Sequence, residues 1–478
     1  MSGTGTALVW FRRDLRLDDN PALSAAVEQC QHVIPLYIHA PEEEAPWTPG
    51  AASRWWLHHS LNALRDSLRD NGSDLLILRG PSQERLLDKA RRSGATHLFW
   101  NRCHEPTMIE RDREIERELG DAGLACHSFN GNLLNEPGTI LTGQGTPYRV
   151  FTAYWKSAGR RLWELSPPSP PPSRLDTPPS PAPGLHPDEL ELLPVIPWHK
   201  GFTAVWEPGE SGAWNRWSNF VGEGLERYES QRDFPGIEGT SRLSAHLHFG
   251  EISPRRMLWE IRQRMDREPT LSRHLECYLG QVGWREFAHY TLFHFPHSAD
   301  RSLDSRFSDA AWKAGDHQAE QLQRWQRGET GIPIVDAGMR QLWQTGWMHN
   351  RVRMIVASFL TKNLGIHWRE GARWFWDTLV DADLANNSLG WQWTAGCGVD
   401  AAPYFRVFNP ARQADRFNAG GYIQRWLPEL KGADKAVLHN GRLDTDGPMD
   451  YRPPIVDLNQ SRRDALQRWE RIKRQERA

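Results

Sequence analysis

Trp347-Met348-His349-Asn350-Arg351-Val352-Arg353 opens a C-terminal run that decides the reading of the whole chain. It continues through Asp381-Ala382-Asp383, Asn386-Asn387, Gly390-Trp391-Gln392-Trp393 and Asp400-Ala401-Ala402-Pro403-Tyr404-Phe405-Arg406. Over Asn350–Leu364 the apolar positions Val352, Ile355, Val356, Phe359, Leu360 and Leu364 fall on one face at helical spacing. The same kind of pattern holds from about Thr203 onward, without an internal repeat, so a large, mostly α-helical domain is expected there. Two carboxylates two residues apart can be metal ligands, helix caps, or partners for an Arg and for a ligand's hydrogen-bond donors. No His lies near them in sequence, which argues against a metal.

Outward from this run the pattern changes. Apolar runs at Ala7–Trp10, Val33–Ile38, Leu75–Leu78 and His97–Trp100 read as strands. Helical periodicity appears over Ser53–Leu68 and Thr107–Leu119, and Asp19-Asn20-Pro21 offers a cap followed by Pro at the first helical position. Such alternation implies an α/β domain with a doubly wound parallel sheet. No G-x-G-x-x-G follows the first strand; Arg12-Arg13-Asp14-Leu15-Arg16 stands there instead, so a conventional dinucleotide site is not expected. Prolines crowd residues 166–197, which rules out a helix or a central strand and suggests an extended segment lying against a domain surface. The expected organisation is an α/β domain over 1–135, a connecting region over 136–202 and a helical domain over 203–478.

Composition narrows the class. The 478 residues carry 58 Lys+Arg and 60 Asp+Glu, a net charge of −2, with 39% hydrophobic and 25% charged residues. That suits a globular protein and excludes disorder throughout. No apolar run is long enough to span a membrane. Met1-Ser2-Gly3-Thr4-Gly5 has no signal-peptide character, and the five cysteines are scattered, so a reducing cytoplasm is expected. The 24 Trp against 9 Tyr are out of proportion. Trp is bulky and needs an indole partner when buried, so surfaces for stacking bases or flavins, or rings that relay electrons, are alternatives to core filling.

Gly239-Thr240-Ser241-Arg242-Leu243-Ser244 precedes a helical stretch, and reads equally as an anion cradle or as an ordinary helix cap. Taken with the C-terminal run, with Val9–Arg16 and Asn20–Leu23, and with Trp284-Arg285-Glu286-Phe287, it resembles the DNA photolyase/cryptochrome family over nearly the whole chain. The resemblance implies an N-terminal antenna domain and a helical domain that holds FAD. Tyr228 and Thr240, Ser241, Arg242, Leu243 and Ser244 would hold its phosphates and ribityl chain. Asp381 would pair with Arg353 beside the flavin ring, Asp383, after Ala382, would bind the flavin edge, and Asn387 would face flavin N5. Trp391, Trp368 and Trp312 match the tryptophan chain that carries electrons to photoexcited flavin, with Trp374 and Trp376 as a possible branch. Trp284 and Trp393 match the aromatic walls of a pocket for a flipped-out damaged dinucleotide, with Met354 and Asn350 as further contacts. Arg232, Arg351, Arg406 and Gln413 match positions that grip the DNA backbone, and Gln281, Arg285 and Ala288, around Trp284, would also contact the DNA.

Individual positions narrow the subtype. Enzymes of the family acting on (6-4) photoproducts carry a second His after Trp-Met-His; here Asn350 follows, as in cyclobutane-dimer enzymes. Asn387 stands where plant cryptochromes carry Asp. One departure is Gln281, where the dimer enzymes usually place Glu. The chain ends about 25 residues after Pro453-Pro454, with a charged helix over Ser461–Ala478 and no long signalling tail expected. Gly283–His289 and Ala395–Gly398 look like the class III branch. The implied reaction is light-driven repair of cyclobutane pyrimidine dimers, with an electron passing from excited FADH⁻ to the dimer and back; a photoreceptor or a (6-4) enzyme are the alternatives. Methenyltetrahydrofolate is the expected antenna, with Glu110 and Ser53–Trp56 as candidates and a deazaflavin as the alternative. UV-damaged DNA is the expected partner, and a monomer without an obligate protein partner is expected.

Overall fold

Five short segments of the N-terminal half pair in parallel: β1 (Thr6–Phe11), β2 (His32–His39), β3 (Leu76–Arg79), β4 (His97–Asn101) and β5 (Ala125–Phe129), in the order β3-β2-β1-β4-β5. The computed structural model describes residues 5–178, 184–307, 311–440 and 451–475. Pro179, Pro181 and Pro183 of the proline stretch lie outside these, as does the end of the charged C-terminal helix, which is seen as Leu458–Gln475. Helices connect the strands as a parallel sheet requires. Asn20 caps the first, Pro21–Gln29, accepting from the Leu23 amide, with Pro at its start. β5 was not anticipated, because Ala125-Cys126-His127-Ser128-Phe129 is a half-exposed edge with no apolar run.

Alternation along the strands builds the core. Leu8 and Trp10 of β1, Ile34, Leu36 and Ile38 of β2, and Leu98 and Trp100 of β4 present one face to Leu86, Ala90, Ile115 and Leu119 of two covering helices. Each such side chain contributes about 1.5–3 kcal/mol by burial. The sheet order reverses between β1 and β4, where doubly wound folds place a ligand crevice. Here that place is filled. Arg12 donates to both Asp112 oxygens at 2.8 and 2.6 Å, Asn101 donates to Asp14 at 2.6 Å, and Arg16, 1% exposed, donates to the four carbonyls of Asp18, Asp19, Gly131 and Gly250. The missing glycine fingerprint thus coincides with a buried ion-pair network.

The chain divides into two compact units, one of Met1–Ile196, Trp206–Gly222 and Ser241–His294, the other of Pro197–Val205, Glu223–Thr240 and Phe295–Ala478. In the first, the proline stretch lies along the sheet domain: Leu175 N–H donates to Asn71 O at 2.9 Å, and Asp176 O accepts from Val33 at 2.9 Å. The second unit is helical. Asn350–Ser358 runs straight into a wider π-helical segment, Phe359–Leu364. It crosses Pro333–Thr345 at Gly338, where a Cβ would fall 2.5 Å from Val352. No helix among the described residues is long and apolar enough to cross a membrane.

Candidate functional site

The second unit gathers most of the singled-out residues around three helices, Asn350–Ser358, Trp368–Thr378 and Leu384–Ala395. His349 caps the first, its Nδ1 accepting from Arg351 N at 3.1 Å. That fixes the start of the helix, leaving Asn350 exposed at its first position and Arg353 one turn on. Arg353 donates to both Asp381 oxygens at 3.1 and 2.9 Å and to Met348 O at 2.8 Å. The Asp381 side chain is 3% exposed. Asp383 takes a different role: it caps Leu384–Ala395, accepting from Asn386 N at 2.9 Å and Asn386 Nδ2 at 2.6 Å. Of the three uses open to the pair, one carboxylate is an arginine partner and the other a cap. No cluster of metal-ligating side chains occurs among the described residues. Ala382 between them is buried.

Asn387 lies on the first turn of the same helix. Its Nδ2 donates to Ala372 O at 3.0 Å, which directs the amide oxygen to act as an acceptor. Four residues on, Trp391 is 2% exposed, with Phe375 at 5.0 Å and Trp325 at 6.1 Å, both edge-on. Its indole nitrogen is buried without a hydrogen-bond partner. Gly371 makes this packing possible, since a Cβ there would lie 2.0 Å from the Trp391 ring. Trp368 is fully buried and donates to Ser302 Oγ at 3.1 Å. Trp312 does not touch Trp368 through a ring contact of its own but through His367, whose ring lies 4.9 Å from Trp312 and 5.7 Å from Trp368. Sequence reasoning missed His367 and Gly371; adjacency to Trp368 was the available signal for the first. A separate stack joins Trp374 to Trp343 at 6.0 Å and Trp343 to Trp198 at 4.8 Å.

Beside this centre a cavity of about 550 Å³ is lined by Arg351, Arg406, Arg412, Arg416 and Arg462, with Gln413 and Asn409. Five arginines and no carboxylate in one lining suit a polyanion. Arg351 pairs with Asp233 at 2.8 Å, lies over Phe417 at 4.5 Å and reaches Met354 Sδ at 3.7 Å. Arg232 stands 5.7 Å over the Tyr228 ring, and Trp393 is half-buried. Arg412, Arg416 and Arg462 were not singled out in the sequence, because an isolated Arg on a helix is most often a solvated charge.

The first unit holds the rest. Ser241 accepts from Tyr278 OH at 3.1 Å, and Arg242 has φ +51°, a left-handed conformation that costs energy away from glycine. No side chain caps Ser244–His248, so the stretch is not an ordinary cap. Leu243 is buried, Ser244 exposed, and Thr240, which belongs to the second unit, half-buried. Gln281, Trp284, Arg285 and Ala288 lie on Ser272–His294. Trp284 stacks on Phe151 at 3.9 Å with the planes 13° apart. Arg285 donates inward, to Asn132 O at 2.8 Å and Leu247 O at 3.2 Å, and Ala288 is 1% exposed. Ser53, Trp55 and Trp56 are buried, Trp56 donating to Glu251 at 2.9 Å, whereas Glu110 is exposed.

Residues 7–173 match a family model described as DNA photolyase, and residues 278–471 one described as the FAD binding domain of DNA photolyase. The deoxyribodipyrimidine photo-lyase of Agrobacterium fabrum is 42% identical, the match covering 98% of this chain and 99% of that protein. Cryptochrome-2 of Arabidopsis thaliana is 37% identical over 95% of this chain and 77% of its own. Among solved structures, the class III photolyase of Agrobacterium tumefaciens superposes with a TM-score of 0.91 at 41% identity, covering 99% of both chains.

Proposed function

This chain belongs to the DNA photolyase family, and on that premise we propose that it repairs cyclobutane pyrimidine dimers in DNA under light. Bound FAD, in its reduced form, would on excitation supply the electron that splits the dimer and take it back afterwards, with no net redox change. The residues of the second unit fit that group's ring: a carboxylate held by Arg353 and an acceptor amide at Asn387 suit the polar edge of a flavin. In this reading Asp381 and Asp383 orient the ring edge, Asn387 accepts from a ring N–H, and Tyr228 and Thr240–Ser244 hold the phosphate end. Asn350 donates to a dimer carbonyl, Trp284 and Trp393 flank the lesion, and Met354 contacts it. Trp391, Trp368 and Trp312 would pass electrons inward to photoexcited oxidised FAD, outside the repair cycle itself, with the His367 ring lying between the last two.

The observation that carries the DNA reading is the five-arginine cavity beside the Asn350 helix. Binding in darkness tests it: a UV-irradiated duplex is expected to bind at least tenfold tighter than the same duplex unirradiated, and equal affinity would count against repair. Gln281 favours a second reading, a blue-light photoreceptor, since Gln can donate to a dimer carbonyl but cannot share a proton. For the antenna we propose methenyltetrahydrofolate on the first unit; a pigment released by mild denaturation with folate-like absorbance supports it, and a deazaflavin spectrum excludes it. Action in the cytoplasm as a monomer completes the reading.

A further inference from the structure

Lys362 is 1% exposed, yet it carries an ammonium into the interior of the second unit. Burying such a charge costs several kcal/mol unless a partner compensates. Its Nζ donates to the main-chain oxygen of Arg406 at 3.0 Å and lies 5.5 Å from the Tyr404 ring. The lysine sits in the π-helical segment Phe359–Leu364, and such insertions often mark functional sites. One turn earlier, Ser358 Oγ accepts from Phe408 N at 3.3 Å. The two bonds hold the main chain at the Arg406 carbonyl and at the Phe408 amide, in a stretch, Asp400–Asn409, that has no helix or strand of its own. Arg406 itself is exposed and lines the arginine cavity.

We propose that Lys362 is a positioning residue for DNA binding: its ammonium holds the Arg406 carbonyl so that the Arg406 guanidinium is presented to a DNA phosphate in the cavity. The proposal rests on the DNA reading above. Behind the lysine, Arg468 donates to the Lys362 carbonyl and lies 3.4 Å from Tyr404 OH. The charged and titratable groups facing Lys362 are thus Arg406, Arg468, Tyr404 and Cys397, with Asp304 beyond Cys397. Burial first, and Arg406 second, push the lysine down to about 7, while burial pushes the Cys397 thiol up to about 12 and keeps it neutral. A phosphate in the cavity adds negative charge and favours the ammonium, so DNA binding takes up a proton. Affinity is then greatest below pH 7 and falls as pH rises through that value.

The test measures dark binding of a UV-irradiated duplex by the FAD-loaded chain, as a function of salt at pH 6.5 and as a function of pH. Lys362→Met is expected to bind about five- to tenfold more weakly, the worth of one hydrogen bond of about 1 kcal/mol. Its log-log salt slope should fall by about one contact, as in Arg406→Ala, and the double variant should bind no worse than Arg406→Ala. Lys362→Arg should keep the affinity and lose the pH dependence. Wild-type affinity and salt slope in a Lys362→Met protein that retains FAD would overturn the proposal. If that variant does not fold, the Arg406→Ala profile decides, since a pH dependence that survives loss of the Arg406 guanidinium is incompatible with it. A wild-type chain that binds no DNA overturns the DNA reading and this inference together; a wild-type chain that binds while Lys362→Met binds equally overturns this inference alone.

Discussion

Arg353 and Asp381 form an ion pair in which the carboxylate is almost wholly out of water. Truncating the arginine leaves that charge without its guanidinium, at a cost of about 3 kcal/mol. Arg353→Ala is therefore expected to lower the unfolding temperature by several degrees and to come off a column with less than half the flavin, read from the ratio of visible to ultraviolet absorbance. Normal flavin content in a stable Arg353→Ala protein would remove the pair from the cofactor site. Trp368→Phe separates two roles. It should slow photoreduction of oxidised flavin at least tenfold, yet leave repair by chemically reduced protein unchanged; slowing of both would place Trp368 elsewhere in the reaction. The Arg353–Asp381 pairing was legible in the sequence, because both residues belong to ordered motifs. The division of work between Asp381 and Asp383 was not: spacing alone is the same for a cap and for an ion pair, and only the helix start at Leu384 decides.

At the scale of elements, the helices Trp368–Thr378 and Leu384–Ala395 depend on one glycine. Gly371→Ala forces a methyl group into the Trp391 ring, and overpacking of this kind costs about 2 kcal/mol. A urea midpoint shifted down, together with slower flavin photoreduction, is the expected outcome; an unshifted midpoint would mean that the ring yields freely. In the first unit, Glu136 accepts from Arg102 and His104 at 3.0 and 3.1 Å, and these partners overcome burial to hold its carboxyl at about 2 instead of 4.5. A depressed carboxyl stabilises the fold fully above 4.5 and loses that contribution as pH falls toward 2. Wild type should lose stability relative to Glu136→Gln between pH 5 and pH 3 in denaturant titrations, and parallel curves would contradict the assignment. The strands and helices with continuous apolar periodicity were readable in advance. β5 and the π-helical segment were not, since an edge strand needs little apolar character and a one-residue helical insertion leaves no trace in periodicity.

Across the whole molecule, a net charge of −2 conceals a concentrated basic site. Residues separated by more than a hundred positions, Arg351 and Arg462, line one cavity, so the polyanion site is a product of folding and not of local charge excess. That is why the sequence yielded Arg351, Arg406 and Gln413 through motif resemblance but not the other three arginines. The fold class followed from the contrast between a strand-helix half and a helical remainder, and the filled crevice between β1 and β4 accounts for the absent glycine fingerprint. The central claim, light-driven repair, is tested most directly by illuminating the reduced protein with a thymine-dimer oligonucleotide under near-UV or blue light, beside a dark control. The account predicts light-dependent restoration of the thymines, which would also establish that Gln281 is compatible with splitting. Dimers left intact by a protein whose flavin photoreduces normally would contradict it.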